Sequence, residues 1–501
     1  MVYIHSGGNV PSHAQNDVAE VESDGSLQRG LSNRHIQLIA IGGAIGTGLF
    51  MGSGKTISLT GSSILFVYII IGAAIFMVLR AMGELLLSNL SYKSFSDFAS
   101  DILGPGAGFF VGWSYWFMWV VTAVADVIAI TGYVKFWWED VPLFLPALVI
   151  IGLLLALNLP SVKNFGEIEF WFAIIKIVAI IGLIIVGGIM VATAFTPENG
   201  DTARVANLWE HGGWFPKGAM GFLGAFQIAL FAFLGSELVG TTSAETKDPY
   251  TTLPKAINAV PVRIILFYVL TLAVILMVTP WTKIVPENSP FVSMFSLAGF
   301  GAAASVVNFV VLTSAASSAN SGIFSTSRMV YGLAEEGSAP KVFALLSKNG
   351  VPRNALFLTS VLLLSSIILL YSGDSVIGAF TLVTTVAAIL SIFNWAMILI
   401  SYISYRKQFP ERHAASSYKM PGGVGAAYVT LAFFIAMIIV LALFQDTRIA
   451  LFAMPGWFII LAIGWATVRR NPNSARLQEK AKLERTQALD IVPPREKDKT
   501  L

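Results

Sequence analysis

Gly42-Gly43-Ala44-Ile45-Gly46-Thr47-Gly48 puts four glycines into seven residues, in the middle of an apolar run covering about 36–59. Each glycine costs a helix interior roughly 1 kcal/mol relative to alanine, so a helix through this stretch breaks. Non-helical backbone at membrane depth persists only where it is buried or lines a polar cavity. A second apolar run carries another interruption, Phe233-Leu234-Gly235-Ser236-Glu237, which includes an ionisable residue. The half-helix beginning at Thr47 and Gly48 offers unpaired amide N–H groups and a positive dipole end, both suited to a carboxylate. The half-helix ending near Phe233 and Leu234 offers unpaired carbonyls, suited to an ammonium group. Together they describe a receptor for a zwitterion such as an α-amino acid. A single glycine cluster would equally suit close packing of transmembrane helices. Two interruptions at corresponding positions point to a carrier whose substrate binds between paired broken helices.

The composition around these stretches is that of a membrane protein. Of 501 residues, 55% are hydrophobic and 12% charged, against about 25% charged in soluble domains; mean hydropathy is +0.73. The net charge of +3 carries little information, because the charges sit mostly in tails and loops, and no nucleic-acid partner follows from it. Cysteine is absent and the five histidines have no ligand-like spacing, so neither a thiolate metal site nor a cofactor is expected. The N-terminus lacks the pattern of a removable signal peptide.

Apolar runs of about 20 residues, the length that spans hydrocarbon, recur twelve times: near 36–59, 63–87, 106–133, 143–159, 169–194, 221–240, 257–279, 298–333, 356–371, 376–405, 424–444 and 450–468. The reading is an all-α integral membrane protein of twelve transmembrane helices. The two interruptions open two blocks of five spans, an inverted repeat with broken helices one and six. The expected divisions are a tail at 1–30, a transporter domain at 31–470 and a second tail at 471–501. Within the domain, repeat one covers about 33–194, repeat two about 219–406 and the last two helices about 424–468. Lys163, Lys255, Arg263, Arg353, Arg406, Lys407 and others fall on one set of alternate connections, and far fewer cations on the opposite set, which expects both termini in the cytosol. A short interfacial helix is expected at 94–100.

Ionisable residues inside spans are expensive and usually functional, each costing about 2.5–3.5 kcal/mol at the bilayer centre. Lys176 lies well inside span five; burial disfavours its charged form, making it a candidate for reversible protonation, with snorkelling to the surface as the alternative. Asp126 in span three and Glu237 beside the second break can each face the cavity, although Asp126 can equally belong to an interhelical hydrogen-bond network. Glu84, four residues after Arg80, reads as half of a structural ion pair. Span eight carries small and hydroxylic residues, among them Ser317, Ser318 and Asn320, which can offer oxygens to Lys176 or to substrate, though close packing alone also explains them. Trp113, Tyr115, Trp116 and Trp119 read as packing and interfacial anchoring.

From about residue 31 to 470 the chain resembles bacterial amino acid transporters of the amino acid/polyamine/organocation superfamily. Leu31-Ser-Asn-Arg-His-Ile-Gln-Leu-Ile-Ala, continuing through the glycine run to Phe50, is similar to the family signature, and Thr279-Pro-Trp and Tyr418-Lys-Met-Pro recur there too. Ser88-Asn-Leu-Ser-Tyr-Lys-Ser-Phe-Ser-Asp-Phe-Ala-Ser-Asp resembles the branch that carries D-serine, D-alanine and glycine. The resemblance implies a five-plus-five inverted (LeuT-like) fold and proton-coupled uptake across the bacterial inner membrane. Ala44, Ile45, Thr47 and Gly48 match the family's carboxylate-binding break, and Phe233, Leu234 and Gly235 its amino-group side. Lys176 matches a lysine that replaces sodium in proton-coupled relatives. Many relatives have Glu where this chain has Asp126. The expected function is therefore import of small neutral amino acids by proton symport, the partners being the amino acid, the proton and the bilayer, with no protein partner evident. The alternative is the same scaffold carrying L-alanine, proline, aromatic amino acids or γ-aminobutyrate. No metal cluster or nucleophile–base arrangement suggests an enzyme.

Overall fold

The computed structural model describes residues 45–92, 94–159, 162–197, 201–241, 248–373 and 375–491. Gly42, Gly43 and Ala44, the tail at 1–30 and Lys93 lie outside the described residues. The described chain is helical throughout, with no strand. The helices used below are α1 (Gly52–Thr60), α2 (Ile64–Ser88), α3 (Phe95–Leu103), α4 (Pro105–Val134), α5 (Phe144–Asn158), α6 (Val162–Ala192) and α7 (Gly218–Ala229). They continue as α8 (Thr271–Val278), α9 (Gly301–Glu335), α10 (Arg353–Leu363), α11 (Val376–Gln408), α12 (Gly423–Leu443), α13 (Gln445–Arg470) and α14 (Pro472–Ile491).

Among the described residues, nine helical stretches are long and apolar enough to cross a membrane, counting Gly52–Ser88 as one; Phe144–Asn158 and Gly218–Phe233 are apolar but shorter. Their outer faces carry large apolar side chains with nothing against them, for example Phe452 at 74% and Val429 at 71% exposure. A contiguous apolar girdle of that kind is incompatible with water and fits hydrocarbon. Inside, α4 packs along both α9 and α11, so these three form the frame on which the polar centre is built.

Local chemistry explains where the helices begin. The short helix expected at 94–100 is α3, opened by a capping box in which the Ser94 amide donates to Asp97 Oδ2 at 3.2 Å. Pro105 starts α4 immediately after Gly104, whose φ of 103° reverses the chain. Ser375 caps α11 by accepting from the Gly378 amide at 3.1 Å. Before α8 the helix widens into a π-helical segment, Ile264–Leu270, and this turn aims Tyr268 inward.

Two features depart from the sequence reading. Arg80 and Glu84 look away from one another: Arg80 donates to Asn258 Oδ1 at 2.7 Å and to the Lys419 carbonyl, while Glu84 meets His413 Nδ1 at 2.5 Å and the Met420 amide at 2.8 Å. Partners from elsewhere in the fold outcompete an i,i+4 pair worth a few tenths of a kcal/mol. At the other end of the chain, polar residues 472–491 form α14, held in place by Arg485, which is 8% exposed. Its guanidinium donates to Asp101 at 3.0 Å and Glu336 at 2.8 Å, and its carbonyl accepts from Asn89 Nδ2 at 3.2 Å. One residue thus ties α14 to the end of α2, to α3 and to the end of α9.

Charge-assisted hydrogen bonds are worth about 1.5–3 kcal/mol each when shielded, less at a wet edge. Arg485→Ala should therefore weaken α14 docking by about 2 kcal/mol. Hydrogen exchange read by mass spectrometry should speed up about thirtyfold across 472–491, with little change in α4; unchanged protection would mean that α14 is held by other contacts.

Candidate functional site

The second interruption is a break in the backbone, and it touches the described part of the first, residues 45–48. Residues 45–46 are non-helical, and a short turn, Thr47–Phe50, begins after Gly46, whose φ of −130° and ψ of −164° are extended. The amides of Thr47 and Gly48 stand at the opening of this turn. In the second break a 3₁₀ turn, Phe231–Phe233, gives way to extended Leu234 (ψ 145°) and to Gly235 at φ 90°, a conformation that L side chains rarely adopt. A Cβ placed on Gly48 would lie 2.5 Å from Ala232 Cα, so only glycine lets the breaks meet. The carbonyls here are partly engaged: Ala232 accepts from Tyr268 Oη at 2.9 Å, and Phe233 from Ser236 Oγ at 2.8 Å.

α4 and α9 supply the polar walls. Asp126, fully buried on α4, accepts from Thr47 Oγ1 at 2.6 Å through Oδ1, while its Oδ2 makes no well-formed hydrogen bond among the described residues and has the Ser318 hydroxyl nearby. The Ile45 carbonyl accepts from Ser314 Oγ at 3.0 Å, and Gly46 faces the Ser318 hydroxyl. Glu237 turns back into the second break, its Oε1 accepting from the Gly235 amide at 3.3 Å, with the Trp395 indole nearby and no well-formed bond to Oε2 among the described residues. Thr47, Phe233, Asp126 and Lys176 are all at most 1% exposed, so this arrangement is closed to both faces.

Lys176 does not snorkel. It is wholly buried on α6, where Nζ donates to Ser317 Oγ at 3.0 Å. Ser317 donates to Glu169 Oε2 at 2.7 Å, and Asn320 Nδ2 donates to Glu169 Oε1 at 2.8 Å. Asn158 of α5 completes the chain by donating to Asn320 Oδ1 at 2.7 Å. Of the span-eight residues, the structure places Ser317 on Lys176 and Asn320 on Glu169 and Asn158; Glu169 and Asn158 are members of this network that sequence reasoning missed. The available signal was spacing: Glu169 precedes Lys176 by seven residues, two turns along the same helix face. Glu237 belongs to the break and not to this chain of bonds. Three carboxylates and one amine therefore share the buried centre; among the described residues no set of three ligands suited to a metal ion occurs.

Comparison with known proteins agrees with this geometry. The family model described as "Amino acid permease" matches residues 35–478. The chain is 62% identical over 446 residues to the D-serine/D-alanine/glycine transporter of Escherichia coli (strain K12), covering 89% of this chain and 95% of that protein. It is 51% identical to the amino-acid permease AapA of Bacillus subtilis (strain 168), over 87% of this chain and 94% of the relative. A probable threonine/serine transporter of the same organism, YbxG, is 43% identical over 85% and 91% of the two chains. The chain belongs to the amino acid permease family, and is a multi-pass membrane transporter of amino acids and not an enzyme.

Proposed function

We propose that this protein imports glycine, D-alanine and D-serine across the bacterial inner membrane by proton symport. The observation that carries the reading is the contact between two unwound segments, with the Thr47 and Gly48 amides on one and Phe233, Leu234 and Gly235 on the other. The substrate carboxylate binds at the Ile45–Gly48 turn, with Ala44 assigned to the same site from the sequence, and the ammonium group at the carbonyls of the second break and at Asp126. Identity to a D-serine/D-alanine/glycine transporter over 95% of that protein's length supports the substrate class. The alternative cargo, other neutral amino acids, draws support from the likeness to a probable threonine/serine transporter.

In this reading the scaffold is twelve helices in a five-plus-five inverted repeat, with both termini in the cytosol and with α12 and α13 outside the repeats. Lys176 is the coupling group. Its ammonium sits on Ser317, which connects it to Glu169, giving a proton somewhere to go when the lysine is neutral. Ser318 steadies the first break, Asn320 holds Glu169, and Glu237 responds to movement of the second break. Proton transfer along these bonds links occupancy of the site to the opening of one face.

Three measurements test this. In proteoliposomes, an imposed inward proton gradient should drive accumulation of labelled glycine and D-alanine; accumulation driven by sodium instead would refute the coupling. Lys176→Ala should remove uphill uptake by at least tenfold while glycine–glycine exchange survives, and full accumulation in that variant would take the lysine out of the mechanism. Gly48→Ala should weaken glycine binding by more than tenfold in a scintillation proximity assay, because the added methyl must push the breaks apart; wild-type affinity would contradict a substrate site at their contact.

A further inference from the structure

Trp119 is 2% exposed in the middle of α4, far deeper than an interfacial anchor would sit. It precedes Asp126 by seven residues, so the two side chains share one face of α4 about 10.5 Å apart. Asp126 is bonded to Thr47 of the first break. On α9, Gly46 of the same break faces Ser318, and one turn further along Trp119 lies on Gly322. Asp126 thus touches the break, and Trp119 lies two turns away on the same face of α4. With Gly48 packed against Ala232, a substrate held at the breaks directs its side chain toward the face of α4 and α9 that carries Asp126, Ser318 and Trp119.

The indole cannot retreat from that face. A Cβ on Gly322 would lie 2.8 Å from Trp119 Cε3, so the ring already rests on α9 backbone. On its other side Tyr115 meets it edge-on, with centroids 6.3 Å apart and planes at 86°. Among the described residues the Trp119 indole N–H and the Tyr115 hydroxyl are buried beside each other without a well-formed hydrogen bond. A ring braced on two sides is a rigid stop, and its N–H gives it a polar edge. We propose that Trp119 sets the size limit of the transported amino acid: it admits a hydrogen, a methyl or a hydroxymethyl group, whose oxygen can accept from the indole, and excludes branched and aromatic side chains.

This rests on the reading that the breaks bind an amino acid, and the test separates the two. Competition against labelled glycine uptake would be measured for D-alanine, D-serine, L-leucine and L-phenylalanine in the parent, in Trp119→Ala and in Gly322→Ala. In Trp119→Ala the ratio of the phenylalanine inhibition constant to the glycine KM should fall at least tenfold, whatever the maximal rate. In Gly322→Ala, where the methyl drives the indole into the site, the D-serine to glycine ratio should rise at least tenfold. Ratios within twofold of the parent in either variant that still takes up glycine overturn the size-limit role. Failure of the parent to take up glycine overturns the underlying reading instead.

Discussion

Backbone amides and carbonyls in hydrocarbon have no water to bond, so a chain that unwinds there must find partners inside the protein. The first break relies on Ser314 and the second on Tyr268 and Ser236. Each of these partners has its own requirement. Ser314 belongs to the hydroxyl-rich face of α9, and Tyr268 reaches Ala232 from a π-helical turn. The contact of Gly48 with Ala232 adds a steric demand that only glycine meets. Much of the polar chemistry in the interior can be traced to keeping two unwound segments stable side by side.

The sequence reading was most successful where a residue type is costly in its surroundings. Glycine in an apolar run, a lysine seven residues into a span and serines where leucine is normal each violate a local rule, and the structure places all of them at the centre. It failed where the meaning of a residue depends on a distant partner. Glu169 stood at the assigned edge of a span, where a carboxylate raises no question; only its bonds to Ser317 and Asn320 reveal it as part of the Lys176 network. Arg80 and Glu84 satisfied a helix-spacing rule, yet each took a stronger partner from another segment. Trp119, read as packing and anchoring, does pack, but nothing local indicated that Gly322 lies against it. Carbonyl availability was also overestimated at Phe233, because Ser236 turns back on it.

Buried charge is organised with comparable economy. Lys176 Nζ donates to Ser317, and Ser317 donates in turn to Glu169. The hydroxyl, able to donate and accept at once, couples the amine to the carboxylate. Asp126 and Glu237 each have one oxygen firmly bonded, to Thr47 and to the Gly235 amide.

The docking of α14 bears on how the molecule is made. Arg485 meets Asp101 and Asn89 across sequence separations of 384 and 396 residues. Those earlier segments leave the ribosome long before residue 485 is translated. Until then Asp101, Glu336 and the polar end of α2 lack the one guanidinium and carbonyl that join them, so this surface is completed late. A chain cut before residue 485 would keep its membrane helices and lose the clasp that gathers the ends of α2, α3 and α9.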